Sequence, residues 1–202
     1  MQDKYGTGQD VVYCYPDSEV LKNILNITDQ SKLNDAEVAF SQHRLATFEY
    51  PALSKFSLGT WKNIHFYLFQ DVYDWAGELR TVKIRKGSSV FAMPEQLDQY
   101  GGSLFSRLEK ESFLCGLEQS EFVKRLAFHF GELNVLHPFR EGNGRSQRLL
   151  FELIALNAGY VLDWLSVNKD IWIGANISAY NGDYAPLEQL FDGVVKKISM
   201  GY

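Results

Sequence analysis

Cysteine is scarce. Cys14 and Cys115 are the only two in 202 residues, too few for a disulfide framework and without metal-ligand spacing, which suits a reducing compartment. Both are expected to be inert core thiols. No apolar run reaches the 18 residues that a membrane helix needs, and the opening residues Met1, Gln2, Asp3 and Lys4 are polar, with no hydrophobic signal segment. A soluble, cytoplasmic protein with no membrane contact is therefore expected. Positive charge is not in excess: 20 Lys and Arg stand against 25 Asp and Glu, for a net charge of −5. That balance argues against direct nucleic-acid binding through a basic surface. There is no internal repeat and no low-complexity stretch.

Hydrophobic residues are plentiful, at 46%, enough for one good core, so residues 1–202 read as a single domain with no linker. Apolar residues recur at three- and four-residue steps, which predicts a mainly α chain. Helices are expected around Ser18 to Leu25, Ser31 to Thr47, Ser57 to Phe69, Pro94 to Lys110, Glu118 to Leu136, Gly144 to Asn157, Asn168 to Tyr180 and Pro186 to Ile198. The run Leu149, Leu150, Phe151, Leu153, Ile154, Ala155, Leu156 is apolar nearly all round, as for a helix at the centre of a bundle. One segment breaks the rhythm. Thr81, Val82 and Ile84, then the turn-forming Lys86, Gly87, Ser88 and Ser89, then Val90 and Phe91 predict a short β-hairpin. A two-stranded ribbon on a helical body leaves an edge that can accept an extended partner segment.

The chemistry concentrates in residues 137–148, His-Pro-Phe-Arg-Glu-Gly-Asn-Gly-Arg-Ser-Gln-Arg. Pro138 disfavours helix at His137, so one helix stops there and the chain turns through Glu141 to Gly144 before the next begins. The free N–H groups and positive dipole end of that second helix make an anion site, and Gly142 and Gly144 let the backbone come close to a phosphate. Arg145 and Arg148, three residues apart, are expected to project from one face and grip successive phosphates. Glu141 offers a hard oxygen for Mg²⁺, Asn143 an uncharged donor to a phosphate oxygen, and His137 a general base near neutral pH.

This loop resembles the Fic signature, a His, any residue, Phe, any residue, an acid, Gly-Asn-Gly-Arg, two residues and Arg, and matches it at every specified position. Tyr15, Pro16 and Val20 to Asn23 resemble the family's N-terminal region, Asp74-Trp75-Ala76-Gly77 the segment before its flap, and residues from about 79 to 93 the flap. The resemblance implies a Fic-type helical bundle with a hairpin flap over the active site. It implies a protein adenylyltransferase that uses ATP and Mg²⁺, with His137 as base, Glu141 holding the metal, and Gly142, Asn143, Gly144, Arg145 and Arg148 on the nucleotide's phosphates. Val82, Lys83 and Ile84 would dock the target, a protein with a modifiable Ser, Thr or Tyr; bacterial topoisomerase subunits are among such targets. Arg80, Lys83, Arg85 and Lys86 crowd the hairpin and would favour an acidic target. Tyr180 and Asp183 are the candidates on the adenine side.

Many Fic proteins carry an inhibitory helix in which a Ser or Thr is followed four residues later by Glu. No Ser or Thr in residues 1–202 has that Glu. The resemblance therefore implies a toxin-type enzyme restrained by a small antitoxin that supplies the carboxylate to Arg148 in trans, unless an acid such as Glu188 or Glu19 folds over the loop. The rival activities are a Fic-fold kinase like the Doc toxins, transfer from another nucleotide-linked donor, a Fic-derived binding module, and a metal hydrolase built on His129, Glu132 and His137.

Overall fold

The computed structural model describes residues 10–52, 54–87 and 89–198; Met1 to Lys4 and the turn residue Ser88 lie outside the described residues. Seven α-helices form there: α1 (Gln30–Ala46), α2 (Leu58–Phe69), α3 (Leu97–Lys110), α4 (Gln119–Leu136), α5 (Asn143–Asn157), α6 (Lys169–Tyr180) and α7 (Ala185–Val194). Their starts follow from side-chain caps. Asp29 caps α1, Ser57 and Thr60 make a capping box on α2, and Asn168 caps α6. The apolar run of 149–156 is the centre of the bundle, as expected: Leu149, Leu150, Phe151, Leu153, Ile154 and Ala155 are buried on α5. Helix α2 packs on α5 from one side, α4 packs beside it, and α6 and α7 pack on α4. The Phe130 ring sits among those of Phe151, Trp172 and Phe191, and burying each such aromatic contributes about 1.5–3 kcal/mol.

The N-terminal expectation fails. Ser18 to Leu25 forms no helix: it bends at Glu19 and Val20, makes an antiparallel bridge from Cys14 to Leu21, and turns at Ile24 and Leu25. Polar side chains replace helical hydrogen bonds there: Ser18 accepts from the Val20 N–H, and Asn23 bonds Leu21 and Ile27, while Asp17 and Asn26 take positive φ. The last helix also stops early. Val194 ends α7, and β4 (Val195–Lys197) pairs antiparallel with β3 (Tyr160–Leu162), a ribbon that the helical period hid. Lys196 reaches Asp163 at 2.6 Å across it. The expected hairpin forms with strands of two residues each, β1 (Arg85–Lys86) and β2 (Ser89–Val90).

The two cysteines part company. Cys14 is buried, but Cys115 is exposed. Before it, Ser112, Phe113 and Leu114 all take left-handed φ of 53°, 52° and 65°, a turn that sends Phe113 and Leu114 into the core and leaves the next side chain outside. No helix among the described residues is long and apolar enough to cross a membrane.

Candidate active site

The signature loop is shaped by its own polar groups. Helix α4 ends because His137 takes a left-handed conformation (φ 45°, ψ 61°) ahead of Pro138. Three residues on, the loop closes on itself. Asn143 Nδ2 donates to Phe139 O at 2.7 Å, and its Oδ1 accepts from the Phe139 N–H at 2.8 Å. Asn143 is 1% exposed, so its side chain shapes the loop and does not line the cavity, contrary to the phosphate role expected of it. Gly142, at φ 78°, caps α5, and Ser146 Oγ returns to the Gly142 carbonyl while accepting from Trp61 Nε1 at 3.0 Å. The first-turn N–H groups of α5 have no intrahelical acceptors, and there the chain can take an anion.

A cavity of about 450 Å³ opens at this point. From the loop it takes His137, Glu141, Gly142, Gly144, Arg145 and Arg148; from the flap, Lys86, Ser89 and Phe91; from α6, Trp172, Ile173, Ile177 and Tyr180. One end is thus polar and cationic, the other apolar.

His137 is buried and lies flat on Phe91, with ring centroids 3.9 Å apart. Its Nδ1 is 3.2 Å from Asn134 O, which places the proton on Nδ1 and makes Nε2 the acceptor. Burial pushes the imidazole down to about 3, with Arg80 and Lys86 lowering it further against the opposing pulls of Asn134 and Glu141. The ring is neutral at pH 7. The ordinary value near 6.5 expected from the sequence does not apply: burial keeps the ring unprotonated and able to accept a proton at pH 7, at a lower proton affinity than an exposed imidazole has.

The two arginines part. Arg148 is half-buried, its Nε 3.3 Å from Gly144 O, and burial and Arg145 lower its pKa. Arg145 instead reaches α1: its guanidinium pairs with Glu37 Oε1, donates to Ser41 Oγ at 2.9 Å and covers the Phe69 ring. Glu37 also accepts from Tyr73 Oη at 2.6 Å. Glu37 has no signature in the sequence, because nothing in spacing links α1 to the loop. Beside Arg148, on the far side of the arginine pair, a groove of about 390 Å³ runs between α1 and α5, walled by Val38, Leu45, Leu149 and Trp164. Glu152 in that groove is held by Trp164 Nε1 at 2.6 Å and Tyr50 Oη at 3.1 Å.

Other expectations are corrected. Arg80 is not a surface charge: it is 1% exposed. Of the flap residues, Lys83 is exposed, Val82 half-buried, and Ile84 buried against Phe91, so docking there would use main chain more than side chains. Tyr180 lines the cavity, but Asp183 does not; its Oδ1 accepts from the Ala185 N–H at the start of α7. His129 lies 3.1 Å from Glu111, and Glu132 takes Tyr184 Oη and Arg107. Among the described residues no cluster of three His, Cys, Asp or Glu could hold a metal, which leaves the hydrolase reading without a site.

The sequence reading missed His65, fully buried on α2. Its Nδ1 accepts from the Gly77 N–H at 2.8 Å and its Nε2 donates to Glu141 O at 2.9 Å, which fixes the neutral tautomer and ties the loop to the segment before the flap. Burial pushes it down to about 4, against a raising pull from Glu141 and with Arg145 adding a lowering one. Since the unfolded His titrates near 6.5, the unfolded chain binds more protons between pH 6.5 and 4, so stability falls as pH falls through that window. From His65 alone the loss is about 3 kcal/mol, at roughly 1.4 kcal/mol per pKa unit. Urea unfolding at pH 7 and pH 4.5 should show it, and His65→Gln should shrink the difference by about that amount, the remainder coming from His137 and His129, whose values burial also lowers; an unchanged difference in that variant would contradict the assignment.

A family model described as the Fic/DOC family matches residues 55–155. The chain is 42% identical to "Probable protein adenylyltransferase Fic" of Escherichia coli K12 over 197 residues, 98% of each. It is 41% identical to protein adenylyltransferase VbhT of Bartonella schoenbuchensis over 177 residues, 87% of this chain and 37% of that one. The BepC structure of Bartonella tribocorum with bound AMPPNP superposes with a TM-score of 0.86 at 26% identity, covering 93% of this chain and 97% of that one.

Proposed function

The chain belongs to the Fic/DOC family and is a protein adenylyltransferase, and we propose that His137 drives its reaction at the cavity over the α5 N-terminus. A Ser, Thr or Tyr hydroxyl of a target protein attacks the α-phosphate of ATP. His137 Nε2 takes the hydroxyl proton, the new bond is O–P, and pyrophosphate leaves with the old bridging oxygen. The observation that carries this is the two-ended cavity: a neutral, buried imidazole beside a helix N-terminus and two arginines, continuing to an apolar wall on α6 that suits a purine base. BepC binds the ATP analogue AMPPNP on the same fold. Catalysis would be chiefly positioning and charge stabilisation of an in-line transfer.

The donor set fits Mg²⁺ of the nucleotide-borne kind. Glu141 is a single carboxylate lining the cavity, one oxygen accepting the Gly142 N–H at 2.9 Å, and Mg²⁺ commonly takes one or two carboxylates plus phosphate oxygens. Bound there it would neutralise phosphate charge. Arg148 is assigned to the terminal phosphate. Arg148→Ala should weaken ATP by about tenfold, the worth of one charge-assisted contact, and leave ADP within about twofold. Calorimetric titration with both nucleotides decides it, and equal losses would move Arg148 to another role.

We infer that the brake acts in trans, from a small antitoxin-like partner in the bacterial cytoplasm. The acids near the signature arginines are Glu37, which pairs with Arg145, and Glu152, whose charge acts on Arg148 while Tyr50 and Trp164 hold its carboxylate. Arg148 borders the groove between α1 and α5, whose exposed apolar residues Val38 and Leu45 would suit the apolar face of a partner helix. The purified chain with Mg²⁺ and ATP should modify itself or a target without help, and expression should slow growth. Silence in both, relieved by replacing one of the chain's own carboxylates, would place the brake in this chain.

A further inference from the structure

One buried side chain ties both feet of the flap to the backbone of the base, beside the Phe91 ring that stacks on the His137 imidazole. Arg80 Nε donates to the His137 carbonyl at 2.8 Å, Nη1 to Val82 O at 2.8 Å, and Nη2 to Ala92 O at 2.5 Å and Leu136 O at 3.4 Å. Its own N–H reaches Pro138 O at 2.9 Å. Val82 and Ala92 are the two feet of the hairpin, and Leu136 and His137 are the end of α4 and the proposed base. Burying a guanidinium is costly unless its donors are met, and here carbonyls meet them at the negative end of the α4 dipole. The planar fork matters, because a lysine ammonium is a point charge that cannot span both feet and the helix end at once.

A second fastening limits where a partner can join. Tyr180 Oη donates to Val90 O at 2.8 Å and accepts from the Val90 N–H at 2.9 Å. These are the outward-facing groups of β2. In the Arg85↔Val90 register the matching outward groups on β1 belong to Arg85, so an extended target segment has the β1 edge to join.

We propose that Arg80 is a positioning residue that sets the register between a target segment on the β1 edge and the base at His137. The proposal rests on the adenylyl-transfer reading. Position on the flap is read out at the His137 backbone through the Arg80 guanidinium, while Phe91 holds the ring face, and an error of about 1 Å at the base costs on the order of a hundredfold in rate.

Two measurements test it. In the first, Arg80→Lys should cut incorporation from α-labelled ATP into lysate proteins, at saturating ATP, by on the order of a hundredfold, while its affinity for AMPPNP by calorimetry stays within about threefold of the parent. Transfer within threefold of the parent would overturn the proposal, as would a parallel loss of nucleotide affinity, which marks a role in general stability. The second needs no activity and follows the ¹³C resonance of the His137 carbonyl, the group that Arg80 holds, because the ring signal would also feel the Phe91 stack. Tyr180→Phe, which loosens β2, should move that signal in the parent and leave it in place in the Arg80→Lys background. No movement in the parent overturns the link even if the lysine variant does not fold, and movement in both backgrounds overturns it too. A parent that labels nothing sinks the adenylyl-transfer reading, and the resonance pair still decides Arg80.

Discussion

Replacing His137 with alanine is expected to lower AMP transfer by about 10²- to 10⁴-fold, the span that a positioned general base supplies, and to leave ATP affinity within about threefold. The two effects separate in the proposed mechanism, where the imidazole acts on the incoming hydroxyl and the nucleotide would be held by the α5 N-terminus, Arg145 and Arg148. The Nδ1 contact to Asn134 O and the stack on Phe91 fix the ring so that Nε2 receives the proton. His137→Asn is the control for shape, since asparagine tolerates left-handed backbone well and leaves the carbonyl that Arg80 holds. It should be as inactive as the alanine variant. Burial that pushes the ring down to about 3 adds a pH signature. A base must be unprotonated, so protonation of His137 in the free enzyme should set no acid limb in kcat/KM near 6.5; a limb there, lost with His137, would contradict the assignment.

The second large effect is expected at Gly142. An alanine Cβ there would lie 2.4 Å from both Cε2 and Cζ of Phe69, on a residue at φ 78°. Phe69 has little room to give: it is 0% exposed, covered by the Arg145 guanidinium and flanked by His65. Left-handed backbone costs about 1–2 kcal/mol for a residue with a Cβ and overpacking about 1–3 kcal/mol more, a large part of a typical domain's 5–15 kcal/mol. Gly142→Ala should therefore lower the urea midpoint sharply and displace the phosphate site. Gly144→Ala is the contrast. Its Cβ would meet nothing within 4 Å, so stability should stay within about 0.5 kcal/mol, while AMPPNP affinity falls because the methyl enters the cavity. Equal stability in the two variants would contradict this reading of the loop.

The parts legible in the sequence were those carried by local rules. Pro138 after His137, the glycines at 142 and 144 and the apolar run after them located the loop and its helix, and both ends hold within a residue. Long-range pairing left no local trace. The Glu37–Arg145 pair spans 108 residues and the Trp61–Ser146 bond 85, so neither could be read from spacing. His65 went unnoticed for the same reason: its work is done through the backbone of Gly77 and Glu141. Arg80 reads in sequence as one of a cationic group with Lys83, Arg85 and Lys86 on a hairpin, which suggests a solvated face, and only the convergence of carbonyls around it shows otherwise. At Ser18 to Leu25 side-chain-to-backbone bonds overrode an apolar pattern of helical period, and at Val195 the pairing with Tyr160 to Leu162 ended a helix that propensity would have continued.

The central claim is that the α-phosphate is the one attacked, with His137 as the base. Parallel incubations of the purified chain and Mg²⁺ with a bacterial lysate, one with ATP labelled at the α-phosphate and one at the γ-phosphate, test it most directly. The account predicts protein-bound label from the α-labelled ATP alone, absent with His137→Asn. Label from the γ-phosphate would make the chain a kinase, and α-label that survives the His137 variant would remove the base on which the proposed mechanism rests.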